Sequence, residues 1–85
     1  MKLKLKIKKS KCREVVYLGK VITIPEKHQY VAADDDGEVF SYPEKPKQSA
    51  TFWHSEVYKR VKGVDVDFEG VSEDWQHSLV HFPLS

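Results

Sequence analysis

Several groupings of residues in this 85-residue chain have types and spacings that chemistry could use. The first is Asp34-Asp35-Asp36-Gly37, a run of carboxylates closed by a glycine. A calcium loop of the EF-hand type needs glycine sixth and glutamate twelfth. Setting Gly37 sixth puts Ala32 first and Pro43 twelfth, so both ligand ends fail. The triplet reads instead as a solvated turn, whose residual use is to meet a cation or a basic partner. The second grouping is His77 and His81, four apart, with Asp74 three before His77. A helix would put these on one face. Structural zinc takes four ligands, however, and the His-Glu-x-x-His pattern is absent. No metal and no other cofactor is expected. His28 and His54 stand alone and read as loop or surface histidines.

Nucleophilic chemistry has little to draw on. Cys12 lies between Lys11 and Arg13, cations that can lower a thiol pKa, but no oriented base stands near it in sequence. The glycines at 19, 37, 63 and 70 are too scattered to cradle a phosphate, and no Gly-x-Ser-x-Gly elbow occurs. The reading is therefore non-catalytic. Two binding candidates remain. Lys2, Lys4, Lys6 and Lys8 alternate with Leu3, Leu5 and Ile7, which could present a cationic strand face to phosphates. The structural account of the same lysines is protection of an exposed sheet edge, and we favour it because the net charge is only +1. Trp53, flanked by Phe52 and His54 in a polar neighbourhood, is the other candidate, either as a binding hot spot or as a core anchor that closes the sheet.

The chain that must position these residues is short enough for a single domain spanning residues 1–85. A chain of this size buries about 60–65% of the surface its unfolded form exposes, which leaves a thin stability margin. Its hydrophobic fraction of 40% and charged fraction of 32% describe a globular protein. One cysteine permits no internal disulfide, which suits a reducing compartment. No apolar run approaches the ~18 residues of a membrane span, and lysines interrupt the N-terminal apolar residues, unlike a signal peptide. The expected location is the cytoplasm. Charge is polarised: residues 2–13 carry Lys2, Lys4, Lys6, Lys8, Lys9, Lys11 and Arg13 without an acid. Residues 65–74 carry Asp65, Asp67, Glu69, Glu73 and Asp74 without a cation. Such poles can steer a partner, or one copy onto another as a homo-oligomer.

The element pattern is β-rich. Strict alternation marks a strand over residues 2–8. Residues 14–24 are rich in β-branched side chains and form one strand, or two broken near Gly19, ending at Pro25. Tyr30-Val31-Ala32 and Val39-Phe40-Ser41 flank the Asp-Gly turn as a hairpin. Two prolines make a loop of 43–49, a strand follows around 56–62, and 64–68 alternates again after a bend or bulge at Gly63. Ser72 can cap a short C-terminal helix, with Glu73 and Asp74 in its first turn and Trp75 and Leu79 sharing a face. The expected fold is α+β: a small, mostly antiparallel sheet of about five strands with one short C-terminal helix.

Residues 24–79 resemble a class of small accessory proteins encoded in tailed-phage and prophage genomes. The resemblance rests on Ile24-Pro25, on Tyr30-Val31-Ala32 running into Asp-Gly-x-Val-Phe at 36–40, on the proline and tryptophan of the following loop, and on Asp74-Trp75-x-x-Ser78-Leu79. The lysine-rich start stands outside it. The resemblance implies a role in phage–host conflict or host takeover, performed by binding, and it transfers no catalytic residue. The functional expectation is a non-catalytic binding module, an inhibitor or adaptor of a host protein, with anti-phage defence as one setting. The alternative is a binder of nucleic acid or a small anionic ligand through the lysine strand.

Overall fold

The computed structural model describes residues 11–50, 52–68 and 74–84. The lysine strand expected over 2–8, with Lys2, Lys4, Lys6 and Lys8, lies outside them. Three antiparallel sheets organise the described residues. Strands β1 (Cys12–Tyr17) and β2 (Lys20–Pro25) form a hairpin. Strands β3 (Tyr30–Ala33), β4 (Glu38–Tyr42), β7 (Lys59–Asp65) and β8 (Val80–His81) form a sheet in the order β7-β4-β3-β8. Strands β5 (Lys47–Gln48) and β6 (Trp53–His54) form a short ribbon.

The first hairpin turns on Leu18 and Gly19, both at positive φ (48° and 82°). That is the backbone of a two-residue turn whose twist suits antiparallel strands. The β-branched run at 14–24 is therefore two strands broken at Gly19. Alternation sends Val15, Tyr17, Ile22 and Ile24 inward and leaves Val16 and Val21, a cross-strand pair, exposed.

Strand β3 is covered on both faces, and Val31, Ala32 and Ala33 are all fully buried. Val31 and Ala33, with Val39 from β4, meet the inward side of the first hairpin. Ala32 and Tyr42 face the other way, against Trp53 and Trp75. Two small side chains suit a strand between two layers, because close packing on both sides leaves little depth at each. The β3–β4 turn needs its glycine twice over. Gly37 sits at φ 88°, and a Cβ there would lie 2.2 Å from the Val66 carbonyl oxygen. The expected irregularity at Gly63 is also present. The pairing of β4 with β7 shifts register between Glu38↔Asp65 and Phe40↔Arg60, and Gly63 (φ 78°) lies within the bulged stretch.

The expected C-terminal helix is corrected. Residues Asp74–His77 form a single 3₁₀ turn, and Ser72 and Glu73 lie outside the described residues. The reason lies at Trp75. Its carbonyl accepts Ser78 N–H at 3.1 Å, Ser78 Oγ at 2.6 Å and the Trp53 indole Nε1–H at 3.3 Å. An α-helix would reserve that acceptor for Leu79 N–H. The chain instead extends at once into β8, where Val80 pairs with Val31. Trp75 is buried as expected, and Leu79 packs in the same cluster. The single sheet of about five strands is likewise corrected to a four-stranded sheet with two separate ribbons, because tight local turns pair β1 with β2 and β5 with β6.

Ser78 completes the sheet where β8 has not yet begun. Ala33 N–H donates to Ser78 Oγ at 2.9 Å, and the hydroxyl lies 3.0 Å from the Ala33 carbonyl. A side chain thus supplies the rung that a backbone would have made. Ser78 also accepts the Tyr17 hydroxyl on its carbonyl at 2.8 Å, tying the first hairpin to the sheet. Arg13 adds a second tie, donating to the carbonyls of His28, Phe82 and Pro83.

Candidate functional site

The acidic tip of the β3–β4 hairpin is built by short-range bonds. Gly37 N–H donates to the Asp34 carbonyl, Asp34 N–H to the Glu38 carbonyl, and Glu38 N–H to Asp36 Oδ1. Asp35 and Asp36 are exposed, as a solvated turn requires. Asp34 departs from that reading. It is half-buried, and its Oδ1 accepts Trp53 N–H at 2.9 Å. Burial raises the Asp34 carboxyl above its ordinary value. The Trp53 bond opposes that rise, while Asp36, Asp35 and Glu38 add to it through charge repulsion.

That bond places β6 against the sheet and fixes Trp53. The residue is 8% exposed, and its indole donates to the Trp75 carbonyl and meets the Trp75 ring edge-on at 6.1 Å. Trp53 is thus a core anchor, yet one part of it lines a pocket of about 310 Å³. Phe40, Tyr42, Phe52 and Tyr58 line the same pocket with Asp34, and His54 and Ser55 stand at its side. Phe40 and Tyr58 meet edge-to-face at 5.7 Å, and Phe52 and His54 do so at 6.2 Å. Phe52 is 44% exposed and Tyr58 61%, so both offer apolar surface to solvent. The pocket joins residues of β4, β6 and the turn between β6 and β7.

The sequence-selected trio of Phe52, Trp53 and His54 therefore does converge on one depression. Tyr58, Phe40, Tyr42 and Asp34 were not in that selection. Period-two alternation in β4 places Phe40 and Tyr42 on the face that Trp53 covers, a signal present in the sequence. Asp34 and Tyr58 carry no comparable mark, because one bond and one turn bring them there.

The remaining groups are placed elsewhere. His81 stacks on Tyr30 at 4.5 Å, while His77 is exposed at the end of the 3₁₀ turn. Among the described residues no group of three His, Cys, Asp or Glu is positioned to hold a metal ion. His28 is half-buried, with Nδ1 2.7 Å from Ser41 Oγ. Burial lowers the His28 pKa, nearby Lys59 lowers it further, and an interaction with the Ser41 backbone opposes both. Ser41 Oγ also lies 3.4 Å from the Lys59 carbonyl, and Ser41 is wholly buried. Cys12 is exposed. No helix among the described residues is long and apolar enough to cross a membrane. No family model, curated protein or solved structure matches the chain.

Proposed function

We propose that this chain is a small non-catalytic binding module that acts on a host protein as an inhibitor or adaptor, in the phage–host setting its sequence resemblance implies. The observation that carries the reading is the aromatic pocket with its exposed rim of Phe52, Tyr58 and His54. Aromatic side chains that are part anchored and part exposed are the usual centres of protein interfaces. One wall, Trp53, is held through both its backbone N–H and its indole N–H, so that part of the surface is formed before a partner arrives.

The alternative is a binder of nucleic acid or a small anionic ligand through the lysine strand of Lys2, Lys4, Lys6 and Lys8, and the described residues add one cationic surface to it. A groove between β2 and β7 is lined in part by Lys59, Arg60 and Lys62. Arg60, however, is engaged with Glu38 at 3.4 Å and Asp65 at 3.9 Å. One experiment separates the readings. Host-lysate capture is run with the parent, with Phe52→Ala plus Tyr58→Ala, and with Lys2, Lys4, Lys6 and Lys8 all changed to glutamine. The proposal expects a specific protein band that the aromatic variant loses and the lysine variant keeps. Salt-steep DNA or RNA binding that only the lysine variant loses would replace it with the alternative.

A further inference from the structure

We infer that the aromatic pocket receives a cationic side chain, the guanidinium or ammonium group of an arginine or lysine on the partner protein. This rests on the protein-binding reading and names what that site recognises. Phe40, Tyr42, Phe52, Trp53 and Tyr58 surround a space of about 310 Å³, at the small end of ligand pockets and suited to one side chain. Aromatic rings attract cations electrostatically, and a ring of them is a known solution for organic cations.

The second argument is the Asp34 carboxylate, which lines the same pocket. Oδ1 is held by Trp53 N–H, but a carboxylate accepts at two oxygens, so acceptor capacity remains. Asp35, Asp36 and Glu38 all act on Asp34 with the same sign. A neutral apolar occupant would strip water from Asp34 without returning a hydrogen bond, and an anion would be repelled. A cation does neither. Arg60 and Lys47 do not compete. Arg60 is turned to Glu38 and Asp65, and Lys47, opposite His54 in the ribbon, lines the adjoining groove rather than this pocket.

The test is an NMR titration of the whole chain with N-acetyl-arginine amide, N-acetyl-lysine amide and the neutral isostere N-acetyl-citrulline amide. The Trp53 indole and Tyr58 ring signals are followed in the parent and in Asp34→Asn. Asparagine keeps an acceptor for Trp53 N–H, while it removes the charge and puts an NH2 donor in place of the second oxygen. The expected result is saturable millimolar shifts with one or both cations. Citrulline should be weaker, and Asp34→Asn should weaken the cations roughly threefold to thirtyfold while leaving citrulline unchanged. Which cation binds tells arginine from lysine. Citrulline binding as tightly as arginine, or cation binding indifferent to Asp34→Asn, would overturn the inference. Unmoved pocket signals would also overturn it, yet leave the protein-binding reading standing wherever Phe52→Ala plus Tyr58→Ala still abolishes capture. Cation binding in a protein whose capture ignores those substitutions would instead sink the protein-binding reading alone.

Discussion

At the scale of single residues, Asp34 does the most for its size. Its side chain accepts the backbone N–H that fixes Trp53, and the cost is a carboxylate held partly out of water. Asp34→Ala leaves that N–H unpaired and should destabilise by about 1–3 kcal/mol, whereas Asp34→Asn should cost less because it retains the acceptor. The pH dependence follows from the direction of the shift. A carboxyl raised above 3.8 keeps its proton longer in the folded chain than in the unfolded one. Between those two values the native state binds more protons, so this group's contribution to stability is fullest below the window and falls as pH rises through it. Asp34→Asn should remove that fall. Urea unfolding of both proteins through the carboxylate range measures it, and parallel curves would show that Asp34 does not titrate as the structure requires.

At the scale of elements, the first hairpin has a correctable flaw. Leu18 occupies a left-handed conformation that glycine and asparagine accept and leucine resists. It is 55% exposed, so little packing is lost by changing it. Leu18→Asn creates Asn-Gly, the favoured pair for this turn, and should stabilise by about 1 kcal/mol. A thermal melt no higher than the parent's would contradict this. Elements show how far sequence alone carries. The Asp-Gly hairpin and the Gly63 bulge were legible because glycine marks positive φ and alternation marks faces. Trp75 and Leu79 sharing a side was legible too, but not the turn that puts them there. Helix signals are local, while the Trp75 carbonyl is claimed by Trp53 and by Ser78. The trio Phe52-Trp53-His54 could be picked out by type. The pocket could not, since Asp34, Phe40 and Tyr58 reach it from separate turns and strands.

At the scale of the whole molecule, β3 is the common member of two apolar clusters, and Trp75 closes one of them at 3% exposure. Trp75→Ala removes an aromatic body and disturbs the carbonyl that receives Trp53 and Ser78. Truncations of this kind cost about 3–5 kcal/mol. Small domains have only about 5–15 kcal/mol to lose, and this one stands at the lower end by size. The variant should be largely unfolded near physiological temperature, seen as loss of near-ultraviolet circular dichroism. A melt like the parent's would mean that the second cluster contributes little.

The bond from Tyr17 to Ser78 spans 61 residues. Its consequence belongs to the ribosome. With translation at roughly 5–20 residues per second, Ser78 is added roughly 3–12 seconds after Tyr17. Throughout that interval Ala33 lacks the hydroxyl that completes its rung, and Arg13 lacks the Phe82 and Pro83 carbonyls. The nascent chain can close its hairpins early, since those contacts are local, but the side of β3 that β8 will cover stays open until β8 is synthesised. An open strand flank is what chaperones hold and what aggregation exploits. Slow codons after position 75 would lengthen that exposure without altering a single side chain.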